Sequence, residues 1–281
     1  MKVSILGSGF GIYGYLPAFA LEGYKILVPS KSRKFVNSRI ELRDYQTSIE
    51  FLSEEEELLE SQVIVIARRP QDQVTFLLNN KISDKFLFLE KPIAPDYDLH
   101  HRLISYLEKE NLQFSIGYIF EFVDWYSEIS LIVKNQSIKN ISIDWTLEKR
   151  SDDWKSHENQ GGGLLKYYGL HILYLYFLLE YNFDQIEIKV SSENLELNTK
   201  KIFGPNINSH VKYGQTSEFK VSIDSKVLFK DASPFGESGV PGVQDPRVSI
   251  LQKYINSRLG TENFNSSEYL SFEKNIVSKV I

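Results

Sequence analysis

The chain has no cysteine, and its one methionine is Met1. Without a thiol it can form no disulfide, thiolate nucleophile, iron–sulfur cluster or sulfur-based zinc site. Long apolar runs are missing too. Val3-Ser4-Ile5-Leu6 is broken at once by Gly7, and the greasiest stretch, Leu170–Leu179, contains His171 and is about half the length of a membrane span. These absences leave no membrane partner in view and make a cytoplasmic location the expectation. Positive charge is not in excess: 32 lysines and arginines face 37 aspartates and glutamates, for a net charge of −5. That balance argues against an electrostatically driven nucleic-acid partner. What the 281 residues do contain is 42% hydrophobic and 25% charged side chains, the profile of a globular protein of one large or two modest domains. Its chemistry must rest on lysine, histidine, tyrosine, carboxylates or a bound cofactor.

The first half alternates. Val3–Leu6 reads as a buried strand and is followed by Gly7-Ser8-Gly9-Phe10-Gly11-Ile12. Gly7 suits a tight turn, and Gly9 lets a phosphate approach the backbone at the start of the next helix. The third glycine falls at Gly11, where strict G-x-G-x-x-G spacing requires position 12, so alone the loop is a weak signal. A second strand, Tyr24–Val28, ends about 20 residues further on, where dinucleotide folds place an acid for the ribose. Here the sequence is Ser30-Lys31-Ser32-Arg33-Lys34. Hydroxyls and cations suit a 2′-phosphate, so NADP(H) is expected in preference to NAD(H), against the alternative of a solvated basic turn. The same cations, with Arg39 and Arg43, lack the interleaved aromatics of a nucleic-acid surface.

Strands follow at Val63–Ala67, Lys85–Leu89 and Gln113–Gly117, with helices at Gln71–Asn79 and Asp96–Glu108. Ser53-Glu54-Glu55-Glu56 has the form of a helix-capping box. This alternation over residues 1–118 predicts a doubly wound parallel sheet, a Rossmann-type α/β domain, with ligands beyond the carboxyl ends of its strands. The residues so placed are Gly7–Ile12, Ser30–Arg33, Arg68–Pro70, Glu90–Pro92 and Gly117–Glu121. Glu90-Lys91-Pro92 carries the most chemistry. A lysine at a strand end can hydrogen-bond a substrate oxygen, and partial burial would lower its pKa; the alternative is an ordinary surface lysine. From residue 119 to 281 the pattern changes to helices and period-two strands, an α+β second domain. Its parts are a helix at Val123–Lys134, a strand at Ile141–Leu147, a polar loop at Ser151–Gln160 and an apolar helix after Gly161-Gly162-Gly163. Strands at Gln185–Val190, Glu218–Ile223 and Lys226–Phe229 follow, then helices at Arg247–Arg258 and Ser267–Val280.

Three motifs in order resemble the glucose–fructose oxidoreductase / inositol dehydrogenase (Gfo/Idh/MocA) family: Gly7-x-Gly9-Phe10-Gly11 with Leu16-Pro17-Ala18, then Glu90-Lys91-Pro92, then Gly161-Gly162-Gly163 with Gly169-x-His171. Members of this family also carry the displaced glycine. The resemblance implies a Rossmann domain joined to a domain with an open, mostly antiparallel sheet, NAD(P)-dependent oxidoreduction of sugars, cyclitols or their nucleotide-linked forms, and homodimers or homotetramers built through that sheet. The cofactor contacts expected from the loops and the resemblance together are Gly7, Gly9, Phe10, Gly11, Ile12, Ser30, Lys31, Arg33, Ala67, Arg68, Glu90 and Lys91. Lys91 matches the lysine that polarises the substrate oxygen, and His171 the histidine that serves as acid/base.

Two positions depart from the family. Tyr167 stands where an aspartate usually precedes the histidine by one helical turn, and Glu121 where many relatives have an arginine. Tyr167 could replace the aspartate as a neutral proton donor, or mark chemistry that has shifted or been lost. The leading expectation is hydride transfer at a carbonyl or hydroxyl carbon of a small sugar-like substrate, with Lys91, His171 and Tyr167 as catalytic residues. Tyr118, Trp154, His157 and Tyr168 are the substrate-facing candidates, and no metal is expected. Imine reduction, or a non-catalytic NADP-binding regulatory role, are the alternatives.

Overall fold

Short apolar runs ended by glycine, serine or a helix start become parallel strands, because each is buried on both faces. The computed structural model describes residues 1–133, 138–148, 153–199, 204–236, 242–260 and 264–281. Among these, the strands form two six-stranded sheets. The first contains β1 (Lys2–Leu6), β2 (Lys25–Pro29), β3 (Ile49–Leu52), β4 (Val63–Ile66), β5 (Phe86–Leu89) and β6 (Gln113–Ile116). Their order is β3-β2-β1-β4-β5-β6, all parallel. Helices α1 (Leu16–Leu21), α2 (Arg33–Ser38), α3 (Glu55–Leu58), α4 (Pro70–Asn79) and α5 (Tyr97–Lys109) connect them. The strand order reverses between β1 and β4, which makes the turns after these strands the topological switch point. Asp96 caps α5 by accepting from the Leu99 N–H at 2.9 Å.

The second sheet is framed by α6 (Asp124–Val133) and α7 (Leu170–Leu178) and built from β7 (Asn140–Glu148), β8 (Ile186–Val190), β9 (Asn194–Thr199), β10 (Asn206–Gly214), β11 (Glu218–Ile223) and β12 (Lys226–Asp231). Its order is β12-β11-β7-β10-β9-β8, antiparallel at every step except the parallel pair β7 and β10. Alternation sets the faces. Ile141, Ile143, Trp145 and Leu147 of β7 are buried, while Asp144 points the other way and pairs with Lys220 at 3.2 Å. The chain closes with α8 (Arg247–Leu259) and α9 (Ser267–Asn275).

The chain divides into two compact units, Met1–Gly117 with Ser238–Ser271 and Tyr118–Glu237 with Phe272–Ile281. A contiguous second domain over 119–281 therefore differs from what is observed: α8 and the start of α9 belong with the first sheet. Serine hydroxyls explain why. Ser266 Oγ accepts from the Phe114 N–H of β6 at 2.7 Å, and Ser115 Oγ meets the hydroxyls of Tyr254 at 2.5 Å and Tyr269 at 3.0 Å. The last helix ends at Asn275, short of the expected Val280, with a 3₁₀ turn at Val277–Lys279. Lys134, at the expected end of α6, and Ser151–Asp152, at the start of the polar loop, lie outside the described residues. Among the described residues no helix is long and apolar enough to cross a membrane, and no group of three or more histidine, aspartate and glutamate side chains could hold a metal ion.

Candidate active site

The glycine turn sits at the switch point and is shaped by contact with the turn after β4. A Cβ on Gly7 would run into the carbonyl oxygen of Ala67, and the Ala67 N–H donates to Leu6 O at 2.8 Å. Gly11 lies against the Ala67 side chain, with its own Cβ position 3.0 Å away. It thus performs the close-packing task of the third glycine at a different spacing. Around Gly9 the situation reverses: no described heavy atom comes within 4 Å of its Cβ position. The turn is closed on the sheet side and open outward, which fits a dinucleotide's phosphates. Ile12 N–H and Tyr13 N–H donate to Gly9 O at 2.9 and 3.2 Å, starting a helical run whose first turn, Gly11–Tyr15, is π-wound. The Phe10 ring folds back over Gly14 and is covered by the Arg247 guanidinium at 4.3 Å, itself held by Asp245 through bonds of 2.8 and 2.7 Å.

At the end of β2, Ser30–Ser32 form a 3₁₀ turn into α2, with Ser30 half-buried and Lys31 and Arg33 exposed. Arg33 stacks over the Phe51 ring at 4.3 Å, and Arg39 over Tyr13 at 5.1 Å. Arg68, after Ala67, lies over Phe76 at 4.5 Å. At the end of β5, Glu90 is half-buried and Lys91 only 6% exposed, and the Lys91–Pro92 bond is cis. The Glu90 carboxylate faces the Tyr15 hydroxyl and Gly117. Burial, reinforced by that carboxylate, pushes the Tyr15 phenol well above its usual range, and burial does the same to Tyr254.

In the second unit, Gly161–Gly163 lead into a π-wound turn, Leu164–Gly169, that continues as α7. His171 is 6% exposed, stacked on Phe120 at 4.7 Å with an 11° interplanar angle, and met edge-on by Tyr118 at 6.2 Å. Tyr118 donates to the carboxylate of Glu273 at 2.7 Å, and both residues are fully buried. Tyr167 is half-buried among Trp154 at 5.4 Å, Tyr168 at 4.9 Å and the Lys155 ammonium at 5.3 Å. Tyr168 touches Trp145, which touches Phe120. A continuous aromatic seam therefore runs from Trp154 through Tyr167 and Tyr168 to His171 and Tyr118. His157 stands apart: its side chain is exposed, and its carbonyl accepts from the Gly162 N–H at 2.9 Å.

No protein-family model matches the chain, and no curated protein matches it in sequence. Solved structures do. The WlbA (WbpB) dehydrogenase of Thermus thermophilus, in complex with NAD and UDP-GlcNAcA, superposes with a TM-score of 0.70 at 13% identity, over 98% of this chain and 93% of its own. A dehydrogenase (MviM) of Clostridium difficile gives 0.67 at 17%, over 100% and 98%. KijD10, a 3-ketoreductase of Actinomadura kijaniata in complex with NADP and TDP-benzene, gives 0.67 at 12%, over 100% and 96%. The fold is that of the Gfo/Idh/MocA-type dehydrogenases.

Within that fold the sequence motifs fall on the carboxyl edge of the first sheet and at the head of α7. Three contributors were not apparent in the sequence. Phe120 supplies the stacking face for His171, Glu273 receives the Tyr118 hydroxyl from the far end of the chain, and Gln73 binds the turn that carries Lys91. Phe120 fell within the Gly117–Glu121 stretch without being singled out, and Gln73 left a signal as a polar residue on the apolar stripe of its helix. Tyr167 and His171 were expected one turn apart on one face. The intervening turn is π-wound, with Trp154 and Tyr168 beside Tyr167 and with Phe120 and Tyr118 beside His171.

Proposed function

We propose that the chain is a Gfo/Idh/MocA-family oxidoreductase using NADP(H), with NAD(H) as the weaker cofactor, to interconvert a carbonyl and a hydroxyl on a sugar-like or nucleotide-sugar metabolite. The observation that carries this reading is the glycine turn: shut against Ala67 at Gly7, open at Gly9, and lying at the switch point of a 3-2-1-4-5-6 sheet. Proteins of this fold support it, with NAD bound in WlbA and NADP in KijD10. Ser30, Lys31 and Arg33 would receive the 2′-phosphate, and Gly7–Ile12, Ala67, Arg68 and Glu90 would line the dinucleotide. A bound nicotinamide supplies or accepts the hydride. This chain's own work is to hold the substrate oxygen at the Lys91 ammonium and to move a proton at His171 or the Tyr167 hydroxyl, worth roughly 10²–10⁴ in rate. Trp154 and Tyr168 would face the substrate, with His157 reaching it from the exposed side of the same loop, while Tyr118, fully buried against Glu273, would back His171 rather than touch the substrate. Assembly as a homodimer or homotetramer through the outward face of the second sheet belongs to the same reading.

The test combines quenching of protein fluorescence by NADPH and NADH with NADPH consumption on a panel of keto-sugars, nucleotide-linked keto-sugars and cyclic imines. Tighter NADPH binding and turnover of a ketone are expected. Lys91→Ala should lower that turnover by about 10²-fold or more with NADPH binding intact. Tighter NADH binding would overturn the reading of Ser30–Arg33. Turnover of imines alone would move the activity to C=N reduction, a reading that the lysine–aromatic surroundings of Tyr167 favour second. Tight NADPH binding with no turnover would indicate a regulatory protein.

A further inference from the structure

We propose that Gln73 is the positioning residue for Lys91; this rests on the role given to Lys91 above. Gln73 is 0% exposed and lies on the buried stripe of α4 with Pro70, Val74 and Leu77, where an apolar side chain is the normal occupant. Burying a primary amide costs about 1–3 kcal/mol if its hydrogen bonds are not replaced. Here they all go to one turn. Its Oε1 accepts from the Glu90 N–H at 3.0 Å, and its Nε2 donates to Glu90 O at 2.8 Å and to Ile93 O at 3.3 Å. The contacts bracket Lys91, one residue before it and two after.

The sheet cannot hold this turn. The ladder of β5 ends where Leu89 pairs with Ile66 and Ile116, and Gly117 N–H takes the Leu89 carbonyl at 2.8 Å. Glu90 has left the sheet, and the carboxamide of Gln73 engages its N–H and C=O together, as an adjacent strand would. Gln73 is fixed in its own place, because its backbone N–H donates to Arg69 O at 2.9 Å in the first turn of α4. The reach of the Lys91 ammonium is therefore set by α4, the helix that begins directly after the Ala67–Arg69 turn. Only a side chain with an acceptor and two donors at this length satisfies all three backbone groups. Methionine matches its length and bonds none of them; glutamate keeps the bond from Glu90 N–H and repels both carbonyls.

The experiment uses the full chain carrying Gln73→Met, Gln73→Glu or Lys91→Ala. Backbone hydrogen exchange is followed without substrate, with NADPH binding by fluorescence and turnover on the ketone found above. In both Gln73 variants the Glu90–Ala94 amides should exchange about tenfold faster while those of β1 and β4 keep their rates. NADPH affinity should change far less than turnover, since Glu90 is one of several groups along the dinucleotide, and kcat should fall by about 10²-fold, the effect of misplacing a catalytic group by roughly an ångström. Wild-type exchange at Glu90–Ala94 overturns the proposal, as does faster exchange spread evenly over β1, β4 and β5. So does full turnover in the Gln73 variants when Lys91→Ala has lost it. Full turnover in Lys91→Ala instead overturns the role of Lys91, and the substrate-free exchange data keep the two failures apart.

Discussion

A methyl group at Gly117 would sit 2.8 Å from Glu90 Oε1 and 3.3 Å from the Tyr15 hydroxyl. The glycine just past β6 is therefore the floor on which the Glu90 carboxylate rests. Gly117→Ala forces that carboxylate to swing aside while the Lys91 turn keeps its backbone. Because the clash is with the end of a flexible side chain, we expect a loss of about 1 kcal/mol, the low end of the penalty for overfilling a packed site, read from urea denaturation. Unchanged stability would mean that the carboxylate swings clear at no penalty. The same group of residues shows what was legible in the sequence. Glu90-Lys91-Pro92 and the glycine turn could be read because their residue types serve local geometry. Gln73 left only its place on the apolar stripe of its helix as a signal; a glutamine in a helix normally faces water, and tertiary contact was needed to show that this one is buried against another turn. Glu273 was hidden for a related reason: its partner, Tyr118, lies 155 positions away.

Among the elements, α8 shows how a helix legible in the sequence can still have an unforeseen partner. Arg247–Arg258 reads as a helix from its pattern, yet it packs on the first sheet through Tyr254, whose ring meets Phe88 edge-on at 5.3 Å while its hydroxyl meets Ser115. Tyr254→Phe removes only the hydroxyl and should lower stability by about 0.5–1.5 kcal/mol. Tyr254→Ala also empties the ring's place and should lose about 3–5 kcal/mol. Equal melting temperatures for the two variants would show that the ring does not anchor the helix. Strands β3, β9 and β10 were not foreseen at all. Ile49–Leu52 is four half-buried residues at a sheet edge, too short to display a period. Asn194–Thr199 and Asn206–Gly214 are rich in asparagine, which is depleted in strands. Their pairing comes from buried contacts: Thr199 Oγ1 accepts from the Ile207 N–H at 2.7 Å, and Tyr176 shares a 2.7 Å bond with Ser209.

For the whole molecule, the sixteen tyrosines matter more than the net charge of −5, because both units bury several of them. Burial pushes Tyr15 and Tyr254 well above the usual phenol range in the first unit. In the second it raises Tyr176 strongly and Tyr181 to about 12, the latter donating to Pro205 O at 2.5 Å. The folded state thus holds phenol protons that the unfolded chain releases near pH 10. Such groups add stability in full below about pH 10 and lose it as the pH rises through the folded values, because the unfolded state then binds fewer protons. The urea midpoint should accordingly stay level from about pH 7 to 9 and fall between about pH 10 and 12. The share of the phenolate absorbance that belongs to these four should appear together with loss of the far-ultraviolet signal, since their hydroxyls ionise only when their unit opens. All sixteen phenolates developing in a chain that stays folded would contradict the burial of these four. Tyr181→Phe separates the contributions: it forfeits the bond to Pro205 at every pH, yet should flatten the alkaline decline, because one fewer phenol then distinguishes the folded chain from the unfolded one.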